Sequence, residues 1–262
     1  MNTHKEMVVS KVPEVTLVFW IIKVLCTTIG ETGGDAVSMS MDLGYLVSTG
    51  IFGAIFVVMV IAQASARKFH PVLYWTTIIA TTTVGTTLAD FADRSLGIGY
   101  PGGVAILLAL LLASLFAWYR TLGTIAVDTV ASPSSEAFYW TTIMFSQTLG
   151  TALGDWSADS LGLGYVGAAL VFGALLFVIA AAYFWTRLSH VLLFWAAFVL
   201  TRPLGAVVGD FLDKPHAEGG LELSRYSATA ALLVLIVFCI FAFSHRAARR
   251  EACNPRSGWH CV

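Results

Sequence analysis

The sequence predicts an all-α integral membrane protein: eight transmembrane helices from four parallel helical-hairpin repeats, pseudo-symmetric about the membrane normal. Three observations predict it. Of 262 residues, 57% are hydrophobic and 12% charged, with a mean hydropathy of +0.79. A soluble chain carries about 25% charged residues. Eight apolar stretches each approach the ~20 residues that cross a bilayer. One tryptophan-centred motif recurs four times along the chain. This composition excludes a soluble enzyme, a disordered chain and a disulfide-stapled secreted domain. The formal charge of −1 leaves no basic patch for nucleic acid.

Residues 1–13 form a polar tail, followed by the first helix over about 14–35. Lys23 and Glu31 interrupt that apolar run and no small-residue cleavage site follows, so it reads as a retained helix rather than a signal peptide. Helices follow over about 44–64, 71–90, 100–119, 137–155, 164–185, 190–210 and 226–244. The membrane domain spans 14–245, in repeats of about 14–66, 67–120, 134–186 and 187–245, and 246–262 form a C-terminal tail. The connections are short, except 121–136 and the insertion 213–225.

Ten of the fifteen Lys and Arg residues fall in the tails and even-to-odd loops, from Lys5 and Lys11 through Arg120 to Arg249, Arg250 and Arg256. Arg94, Lys214 and Arg225 fall on the opposite side, and Lys23 and Arg202 inside helices. The positive-inside rule then places both termini in the cytoplasm. Cys26 and Cys239 lie in apolar runs and read as small core residues. Cys253, His260 and Cys261 in the tail fit no standard zinc spacing.

The repeat is W-x9-G-x4-D. It runs Trp20–Gly30–Asp35, Trp75–Gly85–Asp90, Trp140–Gly150–Asp155 and Trp195–Gly205–Asp210. An aromatic precedes each Trp, and a Gly–Tyr pair opens the next helix in three copies (Gly44–Tyr45, Gly99–Tyr100, Gly164–Tyr165). A two-helix unit leaves successive copies pointing the same way, so the repeats are parallel. On these residues the chain resembles the bacterial integral membrane proteins of four tandem two-helix repeats, each with a characteristic Trp, a repeat of unknown function. The resemblance covers about residues 14–245 and implies an eight-helix protein of the bacterial inner membrane, without implying an activity or a site.

Chemistry therefore comes from the residues. At ~100° per residue, positions 0, 7, 11 and 15 after each Trp share one helix face. The four faces are Trp20–Thr27–Glu31–Asp35, Trp75–Thr82–Thr86–Asp90, Trp140–Gln147–Thr151–Asp155 and Trp195–Arg202–Ala206–Asp210. Lipid excludes such faces, so they turn inward. Carboxylate and hydroxyl oxygens suit hard cations such as Mn²⁺, Mg²⁺ or Ca²⁺. The expected cation ligands are Glu31, Asp35, Asp90, Asp155 and Asp210, helped by Thr27, Thr82, Thr86 and Thr151. Arg202 takes a stripe position and is expected to pair with Glu31 or another acid as a gate. Lys23 lies nearer the cytoplasm and is expected to pair or to snorkel. The four tryptophans read as packing or interface anchors.

These residues lead to the expectation of a secondary transporter of a small hard divalent cation, or less readily a channel, driven by protons or membrane potential. The preference for export is slight. The partners are the bilayer and the cation, with no bound cofactor. No Walker or G-x-G-x-x-G motif offers an ATP site, and no nucleophile–base set points to an enzyme. A second copy of the chain, in a homo-oligomer, is a further candidate partner. The alternative is a non-transporting structural or sensory protein whose repeated aspartates cap helices.

Overall fold

The computed structural model describes residues 9–243 and 245–249. Within them the order is β1 (Val9–Pro13), α1 (Leu17–Asp35), α2 (Gly44–Ser65), α3 (Pro71–Asp90), α4 (Tyr100–Leu122), α5 (Pro133–Asp155), α6 (Gly164–Trp185), α7 (His190–Asp213), α8 (Arg225–Ala242) and β2 (Ala247–Arg249). All eight expected helices are present. Lys5, Arg250, Arg256 and the Cys253, His260, Cys261 set lie outside the described residues.

Among the described residues six helices are long and apolar enough to cross a membrane: α1, α2, α4, α6, α7 and α8, with α2 and α6 the most apolar. α3 and α5 fall short because threonine and other polar residues crowd them. Their burial explains how the fold accommodates this. Most of α3 and α5 is shielded by other helices, whereas α2 buries only Ser48 and Gln63.

The odd helices form an inner ring in which α1 touches α3, α3 touches α5, α5 touches α7, and α7 returns to α1. The even helices stand outside this ring and expose aliphatic side chains such as Leu46, Ile51, Leu112, Leu170 and Val234. The expected hairpins are corrected here. Each even helix lies mainly along the odd helix of the next repeat: α2 on α3, α4 on α5, α6 on α7, and α8 closing onto α1. Each repeat thus spans two neighbours, which interlocks the ring.

Three odd helices end at their motif aspartate and pass into one π-helical turn, at Ala36–Ser40, Phe91–Ser95 and Trp156–Ser160. Gly44, Gly99 and Gly164 then adopt left-handed φ values of 73°, 74° and 64°, which explains the glycine of each Gly–Tyr pair. In the fourth repeat α7 continues to Asp213 and the insertion replaces the π turn.

Val9–Pro13 pairs antiparallel with Ala247–Arg249 across the end of the bundle opposite the aspartates. Lys11 there holds the buried Glu136 at 2.6 Å.

Candidate functional site

The motif glycines build the axis. A Cβ on Gly30 would collide with Thr82, on Gly85 with Gln147, on Gly150 with Arg202, and on Gly205 with Thr27. The rule is cyclic: the glycine ten residues after one Trp receives the residue seven after the next Trp. A second small residue follows four later, at Gly34, Ala89, Gly154 and Gly209. Small residues four apart let parallel helices approach closely. Thr27 and Thr82 use that proximity, donating to the carbonyls of Thr201 and Cys26 at 3.2 and 3.0 Å. These two expected cation ligands therefore serve helix contact.

The tryptophan end is closed by rings. Phe19 meets Trp75, Tyr74 meets Trp140, Tyr139 meets Trp195 and Phe194 meets Trp20, with centroids 5.4, 5.8, 6.3 and 5.7 Å apart. The packing role expected for the tryptophans holds. One layer inward lies Lys23. It neither snorkels nor pairs with an acid, which corrects both expectations. It is fully buried, its Nζ has no hydrogen-bond partner among the described residues, and it stands 4.2 Å from the centre of the Phe198 ring. Both ends of a snorkelling path are shut to it by that aromatic layer and by Arg202.

Arg202 occupies the middle of the bundle with no exposure. Its Nη2 donates to Glu31 Oε2 at 2.9 Å, to Thr86 Oγ1 at 2.6 Å and to Thr151 Oγ1. Those acceptors belong to α1, α3 and α5, so one nitrogen of α7 touches all three other inner helices. The expected Glu31 pair is present, and Thr86 and Thr151 join it. Gln147, in the layer of Arg202, has no partner for either amide atom among the described residues.

Above this lie the aspartates, all nearly fully buried. None caps a helix: no side-chain capping bond forms at Asp35, Asp90 or Asp155, and Asp210 lies within α7. They face bases instead. Arg94 binds Asp90 at 3.1 Å and Asp155 at 3.2 Å. Lys214 binds Asp35 at 2.7 Å and Asp210 at 3.2 Å. Arg225 binds Asp213 at 3.1 Å. Burial opposes the charge of Lys214, but the Asp210 and Asp35 carboxylates outweigh it and hold its pKa above the ordinary lysine value.

Carboxylate oxygens of Glu31, Asp35 and Asp90 lie within 4.8 Å of one another, as do those of Glu31, Asp155 and Asp210, and of Asp35, Asp210 and Asp213. The cluster holds six acids (Glu31, Asp35, Asp90, Asp155, Asp210, Asp213) against four bases (Arg94, Arg202, Lys214, Arg225). With all ionised, two negative charges remain uncompensated. The sequence reading missed Arg94, Lys214, Arg225 and Asp213. For the first two a signal existed, because a base four residues after the motif aspartate occurs in the second and fourth copies. Arg225 carried none, since the insertion breaks the spacing.

Fold and site together define a helical bundle of four cyclically interlocked repeats around an ion-paired polar axis. The chain belongs to the family of the Repeat of Unknown Function DUF347, which matches residues 18–69, 73–129, 138–189 and 193–249. No curated protein and no solved structure matches it.

Proposed function

We propose that the chain is a secondary transporter of a small hard cation, with all eight helices crossing the bilayer and the polar axis serving as the path. One observation carries this reading: the guanidinium of Arg202 sits on the axis inside an oxygen cage of Glu31, Thr86 and Thr151 contributed by three helices. A cation fits that cage because a cation already occupies it on a tether. When Arg202 withdraws, a hard metal ion replaces its charge, and when the ion leaves, Arg202 returns. A buried acid left without either partner costs about 3–5 kcal/mol. The exchange is thereby biased to be concerted.

The uncompensated charge of the outer cluster supports a divalent ion, and Mn²⁺, Mg²⁺ and Ca²⁺ all suit oxygen donors. The aromatic rings at the other end support a closed inner gate. α3 and α5 can cross despite their threonines because the outer helices shield them. The lysine and arginine bias supports an orientation with both termini cytoplasmic, and the bacterial inner membrane is the location the family resemblance implies.

The competing reading is a non-transporting scaffold. It is favoured by the pairing of every base in the cluster with an acid. Whole-cell metal content by elemental mass spectrometry separates the two. Cells overproducing the wild type are compared with Glu31→Gln and with the double variant Asp90→Asn/Asp155→Asn at matched membrane levels. A change in one divalent metal confined to wild type supports transport and gives its direction. Equal metal content in all three overturns it.

A further inference from the structure

We propose that the acid cluster contains two equivalent divalent-cation sites, one between α1 and α3 and one between α5 and α7, which share Glu31. The proposal deepens the transport reading and rests on it for the identity of the ion class.

The four aspartates are not bridged evenly. Arg94 joins Asp90 of α3 to Asp155 of α5, and Lys214 joins Asp210 of α7 to Asp35 of α1. Among the described residues, no base bridges the aspartates of the other two seams of the ring. At α1/α3 oxygens of Asp35 and Asp90 approach within 4.8 Å, and at α5/α7 those of Asp155 and Asp210 do the same, each pair within the same distance of Glu31. Like charges so placed in a buried site repel unless a cation or a proton is shared between them.

A second observation points to a ligand. Each bridging base binds Oδ2 of the aspartate that belongs to the following repeat. The other oxygen, Oδ1 of Asp35 on α1 and Oδ1 of Asp155 on α5, has no hydrogen-bond partner among the described residues. These carboxylates are 1% and 3% exposed. A buried, unsatisfied carboxylate oxygen is costly, and such atoms in folded proteins are normally taken up by a partner or an ion. Among the motif aspartates these two orphans occupy equivalent places in the two halves, as expected of two copies of one site; Asp213 Oδ1, outside the motif, is also unpartnered among the described residues. All-oxygen donors select a hard divalent ion. Because Glu31 is common to both seams, only one site at a time has three carboxylates. The expected capacity is one tightly held ion per chain.

The test is Mn²⁺ binding to the purified full-length protein in detergent, read from the loss of the free-ion electron paramagnetic resonance signal. Wild type is expected to bind one Mn²⁺ per chain. Glu31→Gln is expected to weaken binding at least about ten-fold, and Asp35→Asn with Asp155→Asn together to abolish it. Either single change is expected to leave binding within about three-fold of wild type, because the other seam still serves. Asp42→Asn, at an exposed turn, is the control. If Asp35→Asn does not fold, Asp35→Glu and Asp155→Glu keep a partner for each base and probe the same seams. No binding by wild type, or full loss from one single change, overturns two equivalent sites. Binding with the expected variant pattern but no flux in vesicles overturns transport alone. Flux with binding indifferent to the seam variants overturns the seam sites alone.

Discussion

Arg94 and Lys214 hold equivalent positions, 19 residues after Trp75 and Trp195, and each bridges the aspartate of its own repeat to that of the next. The pattern reduces a four-fold ring to a two-fold one. Met39 and Asp159 stand at the same position in the other copies.

Removing either bridge leaves two buried carboxylates facing each other. Arg94→Gln and Lys214→Gln are each expected to destabilise the protein by about 3–5 kcal/mol. Lys214→Arg keeps the charge and is expected to cost less. Thermal melts in detergent measure the difference. Equal costs for Lys214→Gln and Lys214→Arg would show that charge is not what Lys214 contributes.

The Lys214 bridge also carries a pH expectation. Its folded pKa lies above the ordinary value of about 10.4, so its contribution is complete below that pH and is lost only as pH rises through the higher folded value. The drop in Tm caused by Lys214→Met is therefore expected to be the same at about pH 7 and about pH 9.5. A drop that shrinks at the higher pH refutes it.

Glycine substitutions separate the inner ring from the outer one. Gly205→Ala places a methyl group on Thr27, and Gly85→Ala places one 3.0 Å from the Gln147 Cβ. Each is expected to cost about 1–3 kcal/mol by overpacking. Gly50→Ala and Gly173→Ala, on outer helices with nothing within 4 Å, are expected to be neutral or slightly stabilising. A uniform response across the four variants would contradict the close inner contact.

Lys23→Met is expected to raise Tm. The ammonium is buried without a hydrogen-bond partner among the described residues, and burying an ion costs several kcal/mol. Its contact with Phe198 returns about 2 kcal/mol at most, so the penalty dominates. A fall in Tm would show that the amine has a partner of its own.

Arg202 and Glu31 are expected to couple. Arg202→Met and Glu31→Gln each leave a buried partner without its opposite charge, whereas the double variant removes both charges. A double-mutant cycle on stability is expected to return about 2–3 kcal/mol of coupling. Additive single effects would mean that the 2.9 Å pair contributes nothing.

The sequence by itself determined the eight helices, their four-fold repetition and the inward polar face. Burying apolar surface and satisfying backbone groups inside each helix are local demands, and a fixed spacing of Trp, Gly and Asp records them. It also marked Glu31 and Arg202, since charges in apolar runs stand out wherever the chain goes. Only the tertiary structure decided that the four copies close around one axis, with each outer helix on the following repeat. Which helix lies beside which is settled by contacts between distant segments, such as Gly205 against Thr27, and no spacing within one helix encodes them. The same reason explains the aspartates. In the sequence each reads as a cation ligand, or alternatively as a helix cap, but their partners Arg94, Lys214 and Arg225 are delivered by neighbouring turns and by the insertion, so their chemistry is set by the ring rather than by the repeat.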